Sequence, residues 1–363
     1  MIFFLLIYRI YCSPFTFIGW TIGGLYPRDF PYSLFLGCSG FQRLLRHADR
    51  SRRYAFALGT YSNLQTQFRS YFGFCVYFHR PPLPADLDTI CGYIQFLSKS
   101  LKPPSIANYM SGVKLLHILL GYEYDHADNI HLQLLVRGIK RLSPHTPRRA
   151  KPVVPVLLAS IATAADAGSS LHLATVAVAL LLFHTLARLG SILPASLKSK
   201  RNSFLHEQDI GFTSYGMVVS LSHTKTIQFG ERCLRIPLVA RDGATCPVAA
   251  YFSHLRLLGR RKKRTSSPAF LYRDSVGVVC WLTKSIFIKT FRDLAARAGD
   301  SDPAAYSGHS FRRGGASWAF QAGVPGELIQ VMGDWSSDAY RRYLEFNMRN
   351  KQRLHLVFSS GLP

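Results

Sequence analysis

One long apolar segment constrains the fold of this chain more than any other feature. Residues 171–187 are apolar on nearly every side of a helical projection. A helix without a polar face has to be enclosed by other elements, so this segment predicts a buried helix at the centre of a large domain. The chain has 363 residues, which is enough for two domains that each bury a sizeable core.

The region before this central helix predicts a separate bundle of helices. From residue 51 to about residue 141, apolar side chains recur at three- and four-residue steps, as at Tyr54, Ala57, Tyr61 and Leu64. Further helices are predicted over residues 87–98, 105–120 and 131–142, the second of them capped by Ser105. We expect an atypical apolar extension over residues 1–40, a helical domain over residues 41–145, a basic proline-rich linker over residues 146–152 and a second domain over residues 153–363.

The second domain combines helices with a few strands. Short strands are predicted over residues 217–222 and 233–238, joined by a polar stretch that can turn a hairpin. Helices are predicted over residues 284–298, 310–322, 326–332 and 337–348. The fold class is therefore mainly α with a small antiparallel β-sheet, an α+β fold.

The charge of the chain calls for a polyanionic partner. Lys and Arg number 44 against 20 Asp and Glu, a formal net charge of +24, while apolar residues make up 48% and argue against disorder. Nucleic acid and an anionic membrane surface are the two candidates. The apolar stretch at residues 1–8 is interrupted by Arg9, so we predict no membrane span.

Basic residues on and beside the predicted bundle are candidates for contact with a DNA backbone, from charge and position alone. They are Arg52, Arg53, Lys114, Lys140, Arg141, Arg148, Arg149 and Lys151. The basic run from Arg260 to Arg264 is interpreted as a nuclear-import signal or a DNA-backbone contact, with a solvated loop as the alternative. We expect a nuclear location if the protein is eukaryotic, and otherwise the cytoplasm or nucleoid.

Cofactor chemistry has no support in the sequence. The seven cysteines are scattered without a Cys-x-x-Cys pair, so neither a disulfide framework nor a zinc site is expected. No His, Cys, Asp and Glu cluster has metal-ligand spacing, and no phosphate-binding Walker loop is present. We predict no metal, no cofactor and no small-molecule ligand.

Several polar and aromatic residues in the second domain form a candidate site when they are taken in order. They are Arg188 directly after the central helix, Lys225 at the hairpin turn, His309 and Arg312 three apart at the start of a helix, Trp335 in the segment before the last helix, and Tyr343 on that helix. Each alone has an ordinary explanation: a snorkelling arginine, a solvated lysine, a capping histidine, packed aromatics.

In this order and spacing, the chain resembles the tyrosine recombinase (phage-integrase) family from about residue 50 onward. Two motifs are most similar to those of the Crypton-like and DIRS-like recombinases of eukaryotic mobile elements: His309-Ser-Phe-Arg-Arg-Gly-Gly and Gly333-Asp-Trp. The resemblance implies a helical core-binding (SAM-like) DNA-binding domain, a catalytic recombinase domain and a tetramer assembled on double-stranded DNA. It also implies DNA integration or recombination through a 3′-phosphotyrosine, a strand transfer like that of type IB topoisomerases, and assigns protonation of the leaving 5′-hydroxyl to Lys225.

The chemistry of the residue types agrees with that resemblance. Two guanidiniums, Arg188 and Arg312, suit the growing negative charge on a phosphodiester under attack, without a metal. A phenol has a pKa near 10 and needs a base, which His309 supplies, while the indole N–H of Trp335 can bond a phosphate oxygen. Tyr343 is preferred over Tyr340 as the nucleophile, because Tyr340 follows the preceding loop too closely.

Two departures from the family pattern keep an alternative open. Ser191 stands where many members have an acidic residue, and Tyr343 follows Trp335 by eight positions where nine is commoner. The alternative function is that of a catalytically decayed or domesticated DNA-binding protein derived from a mobile-element recombinase.

Overall fold

The computed structural model describes residues 43–44, 47–48, 50–51, 54–126, 129–144, 149–199, 203–259, 266–344 and 352. The chain divides into two compact units between Pro147 and Arg148. The predicted extension over residues 1–40 lies outside the described residues.

The first unit is all helical in its described part. Its helices are α1 (Leu58–Tyr77), α2 (Leu87–Ser98), α3 (Pro103–Leu119) and α4 (Ile130–Leu142). Tyr71 and Tyr93 are fully buried where α1 meets α2, with ring centroids 5.1 Å apart. The recurring apolar side chains predicted from residue 51 onward belong to helix α1 only from Leu58, and Tyr54 lies in the turn before this helix.

The predicted cap of α3 is wrong. The helix begins at Pro103 with Lys102 at the N-cap position, and no side chain caps it. Proline suits the first helical position because its missing N–H has no partner there in any case. The two prolines thus start the helix two residues earlier, and Ser105 lies within its first turn.

The second unit is built around the predicted central helix. Its helices are α5 (Pro155–Ala164), α6 (Ser170–Thr185), α7 (Leu189–Ile192), α8 (Pro247–Leu257), α9 (Lys284–Arg297), α10 (Gly308–Gln321) and α11 (Gly326–Met332). Nearly every side chain of α6 is buried, in one core shared with α5, α8, α9 and the sheet. The prediction from residues 171–187 is confirmed.

The sheet has three antiparallel strands, β1 (Ile210–Thr213), β2 (Gly216–Leu221) and β3 (Leu234–Val239), in the order β1-β2-β3. The predicted β2–β3 hairpin is confirmed, with Leu221 paired to Leu234 at the mouth of the connecting loop. Two short strands, β4 (Leu271–Arg273) and β5 (Val279–Trp281), pair separately. Neither they nor β1 were predicted, because three or four residues do not establish an alternating pattern. The fold class, mainly α with a small antiparallel sheet, is confirmed.

The last predicted helix takes a different form. Residues 338–343 make a 3₁₀ helix, Asp338–Tyr343, and the Ser337 hydroxyl accepts a hydrogen bond from the Ala339 N–H at its start. Residues 345–351, which include the rest of the predicted helix, lie outside the described part of the chain. None of the helices that the structure describes is both long and apolar enough to cross a membrane.

Candidate functional site

The end of α6 turns sharply and delivers Arg188. Leu186 is buried and adopts a left-handed backbone conformation with φ of 54°, which costs an L-residue about 1–2 kcal/mol. The turn makes Arg188 the N-cap residue of α7, and its side chain is partly exposed. A left-handed residue commonly ends a helix, but for a leucine the conformation persists only where the surrounding structure fixes it.

His309 and Arg312 lie one turn apart at the start of α10. Ser307, rather than His309, caps this helix, because its hydroxyl accepts a backbone N–H while Ser310 bonds back to the Ser307 N–H. The capping explanation for His309 is therefore wrong. His309 is exposed at the second position of the helix, and Arg312 points inward with 1% exposure.

The two glycines after Arg313 let α10 approach its neighbours closely. A Cβ at Gly315 would lie 2.2 Å from the Phe183 carbonyl oxygen on α6, and one at Gly314 would lie 1.8 Å from the Val153 carbonyl oxygen. This backbone contact brings Arg312 beneath the strained turn, where its Nη1 donates to the Leu186 carbonyl. The two glycines of the sequence Arg312-Arg-Gly-Gly therefore fix where the Arg312 guanidinium lies.

Arg312 is buried without an acidic hydrogen-bond partner among the residues that the structure describes. Its Nε and Nη2 have no hydrogen-bond partner, and its guanidinium carbon lies 3.5 Å from the centroid of the Trp335 ring and 5.9 Å from that of Tyr343. Burial and the charge of Arg188 lower the pKa of Arg312 to about 9, so it remains cationic at neutral pH. Unpaired donors of a buried cation are costly, and an anion bound between Arg312 and Arg188 would satisfy them.

His309 lies in the same positive field. Although the residue as a whole is exposed, the neighbouring groups partly desolvate its ring. This desolvation and the charges of Arg312, Arg188 and Lys225 lower the pKa of His309, so the ring is neutral at neutral pH. The neutral imidazole is the form that accepts a proton. Lys225 belongs to the exposed loop between β2 and β3. It lies on a tight turn in which the Thr224 N–H donates to the Ile227 carbonyl and the Ile227 N–H donates to the Thr224 hydroxyl.

The two candidate tyrosines occupy different surroundings. Tyr343 is partly buried, with its ring 5.4 Å from that of Trp335, and its carbonyl accepts a 2.6 Å hydrogen bond from the Ser317 hydroxyl on α10. Tyr340 is buried with its hydroxyl against the start of α11, where a Cβ at Gly326 would lie 2.8 Å away. Of the two, the structure places Tyr343 beside Arg312.

Sequence reasoning missed Asp334, which lies in the same site. A narrow cleft is lined by Arg188, Ser191, Thr224, Arg312 and Asp334, among others. Ser191 is buried and supplies no charge there. Asp334 is the middle residue of the Gly-Asp-Trp signature, but its partners lie more than a hundred positions away, so no local pattern indicates its role.

The candidates for DNA-backbone contact divide into three groups. Lys114, Lys140, Arg141 and Arg149 are exposed. Lys151 is partly buried, pairs with Asp300 at 2.8 Å and lies 5.1 Å from the Tyr306 ring centroid, so its charge already has a partner. Arg52, Arg53, Arg148 and the run from Arg260 to Arg264 lie outside the described residues. DNA contact by these residues stays a prediction.

No cluster of three or more His, Cys, Asp or Glu side chains suited to a metal ion occurs among the residues that the structure describes.

The similarity of this chain to known proteins lies in its fold. No protein-family model and no curated protein sequence matches it. Among solved structures, it is similar to the Tn1549 transposon integrase in complex with transposon right-end DNA (13% identity, TM-score 0.59, covering 88% of this chain and 98% of that one). It is also similar to the XerH site-specific recombinase bound to a palindromic difH substrate (13%, 0.55, 88% and 84%) and to a lambda integrase tetramer bound to a Holliday junction (13%, 0.50, 88% and 82%). The chain therefore has the fold of the tyrosine recombinases.

Proposed function

We propose that this protein is a site-specific DNA recombinase or integrase that breaks and rejoins DNA through a 3′-phosphotyrosine on Tyr343. The observation that carries this proposal is Arg312, a buried guanidinium with two unpaired nitrogens, stacked on Trp335 beside Tyr343. A purely structural arginine would have its donors satisfied within the fold. A scissile phosphate supplies the missing acceptors.

The two arginines clamp the phosphate in this proposal. Charge on the non-bridging oxygens grows as the phenolic oxygen approaches phosphorus, so cations fixed in advance bind the transition state more tightly than the ground state. Arg312 is held in advance by the Leu186 carbonyl and the Trp335 ring, and Arg188 lines the same cleft from the start of α7. The Arg312 guanidinium therefore needs no rearrangement during the reaction.

Proton transfer completes the step. The Tyr343 oxygen forms a bond to phosphorus, its proton passes to neutral His309, and the bond from phosphorus to the 5′-oxygen breaks. Lys225 gives a proton to that leaving oxygen, which departs as a 5′-hydroxyl. The phosphodiester bond is exchanged for a phosphotyrosine bond, so a second 5′-hydroxyl can reverse the step without ATP.

The proposal extends to double-stranded DNA and to assembly. A formal net charge of +24 and the exposed Lys114, Lys140 and Arg141 on the first unit suit contact with a phosphate backbone. Assembly into a tetramer on DNA is proposed by analogy with the lambda integrase tetramer. An origin in a mobile element of the Crypton-like or DIRS-like kind, and a nuclear location, are parts of the same proposal.

Covalent capture tests this function. Purified protein is mixed with sheared genomic DNA in EDTA and denatured in detergent, and the DNA that stays attached is sequenced. We expect attachment by the wild type and by Tyr340→Phe, and none by Tyr343→Phe. Salt-sensitive DNA binding without any attachment would instead support the alternative, a decayed or domesticated DNA-binding protein.

A further inference from the structure

Asp334 occupies a backbone position that glycine normally takes. After α11 ends, the N–H of Asp334 bonds to the Val331 carbonyl and that of Trp335 to the Gln330 carbonyl, the two hydrogen bonds of a Schellman motif. Asp334 is therefore at the left-handed position of the motif, with φ of 56°. Since glycine fits there without strain, the aspartate side chain needs a reason of its own.

The side chain of Asp334 is buried, and it accepts hydrogen bonds from the loop that carries Lys225. The Thr224 hydroxyl donates to its Oδ2 at 2.8 Å, the Thr226 hydroxyl donates to the same oxygen, and the Arg232 guanidinium pairs with Oδ1. The two threonines directly flank Lys225. One carboxylate thus holds the loop on both sides of the lysine and at residue 232.

The contacts are those of an ionised carboxylate. Burial by itself would raise the pKa of Asp334, but the hydrogen bonds from Thr226, Thr224 and Arg232 outweigh it, and the net pKa is below the usual value. Arg232 is half exposed, so it remains solvated without this partner. We therefore expect loss of the Asp334 carboxylate to release this loop without unfolding the protein.

We propose that Asp334 is a positioning residue that holds Lys225 where it can protonate the leaving 5′-oxygen. The same residue ends α11 next to Trp335, whose ring supports Arg312 and Tyr343. A single residue thereby couples the loop of the general acid to the ring that packs on the phosphate clamp. This inference rests on the proposed function, because it assigns Asp334 to a step of that reaction.

The first test needs no DNA. Hydrogen–deuterium exchange of residues 222–233 is compared in the wild type, Asp334→Gly and Asp338→Asn. Glycine keeps the left-handed turn and removes the carboxylate, and we expect the loop amides to exchange about tenfold faster. Asp338 is the matched control, because its exposed carboxylate pairs only with Arg341 among the described ion pairs. Unchanged exchange in Asp334→Gly would show that Asp334 does not hold this loop, and it would overturn the inference. We call the contact of Asp334 with Thr224, Thr226 and Arg232 the tether.

The second test asks whether the tether acts through the leaving group. It uses a duplex of the captured sequence with either oxygen or sulfur at the bridging 5′ position. A thiol has a pKa near 8.5 and leaves without a proton, so sulfur removes the need for a general acid. On the oxygen substrate, we expect attachment to slow about 10–100-fold in Asp334→Gly and by about 100-fold or more in Lys225→Ala. On the sulfur substrate, both variants should approach the wild-type rate.

The outcomes separate the tether from the function itself. If sulfur does not rescue Asp334→Gly but rescues Lys225→Ala, then Asp334 acts elsewhere and this inference fails while the recombinase proposal stands. If the wild type attaches to neither substrate, then the proposed function fails. If Asp334→Gly does not fold, Thr226→Val removes a hydrogen bond of the same contact from the loop side. It should slow attachment on the oxygen substrate, and the sulfur substrate should restore the rate.

Discussion

Replacing Arg312 with methionine should slow covalent attachment to DNA strongly without weakening the fold. Methionine is unbranched and apolar and fills most of the buried space, but it carries no charge and no donor. In the wild type, one guanidinium nitrogen bonds to the Leu186 carbonyl, two have no partner, and the plane stacks on Trp335. The substitution therefore removes two donors that only a phosphate can use.

The expected size of each effect follows from these contacts. A hydrogen bond to a charged group contributes about 1.5–3 kcal/mol, so two such bonds in the transition state amount to about 3–6 kcal/mol, or a rate loss of about 10²–10⁴-fold. The folded state loses about 1 kcal/mol with the Leu186 bond and about 1–2 kcal/mol with the Trp335 stacking. It regains the desolvation cost of a buried cation, several kcal/mol. The free energy of unfolding should therefore be unchanged or higher.

The assay pairs the rate of covalent attachment with thermal denaturation in the presence and absence of inorganic phosphate. Phosphate should raise the Tm of the wild type and not that of Arg312→Met, because only the former offers the unpaired donors. Arg292→Met is the matched control: Arg292 donates twice to the Tyr306 carbonyl, so its loss should lower the Tm. The reasoning is refuted if Arg312→Met lowers the Tm as much as Arg292→Met, or attaches to DNA at the wild-type rate.

Three further predictions concern the base, the helix contact and the salt dependence. The lowered pKa of His309 keeps its ring unprotonated at neutral pH, so the attachment rate should fall only on the acid side of neutrality, and His309→Gln should remove this acid limb from the pH–rate profile. Gly315→Ala forces a Cβ against the Phe183 carbonyl, so it should lower the unfolding free energy by about 1–3 kcal/mol and also lower the attachment rate. The control is Gly138→Ala, which has open space around it and should be neutral or stabilising. DNA affinity should fall steeply between 50 and 200 mM salt, and by less in a Lys114, Lys140 and Arg141 triple alanine variant; an equal fall in both would remove these residues from the interface.

The elements that the sequence predicted well are those whose burial is continuous. The central helix α6 was predictable because nearly every residue in it faces the core. The β2–β3 hairpin was predictable because each strand is six residues long and alternates over most of its length. By contrast, β4 and β5 have three residues each, and the 3₁₀ helix at Asp338–Tyr343 has a local geometry that helical spacing does not distinguish from an α-helix.

The structure brings several of the predicted site residues together, through contacts that the sequence did not predict. Local context distinguished Arg188, His309 and Arg312, since each follows a helix end or opens one. The role of Asp334 was not predictable, because its partner Thr224 lies 110 positions earlier and the contact exists only in the folded chain. The ion pair between Lys151 and Asp300, which are 149 positions apart, was not predictable for the same reason.

Mass spectrometry of the DNA-attached protein tests the central claim most directly. Trypsin cleaves after Arg341 and Arg342, so Tyr340 and Tyr343 fall in different peptides: residues 314–341 contain the first and residues 343–349 the second. After capture in EDTA and nuclease digestion, the account predicts a nucleotide adduct on the peptide Tyr-Leu-Glu-Phe-Asn-Met-Arg and none on the preceding one. An adduct on the peptide with Tyr340, or no adduct on either in protein that binds DNA, would contradict it.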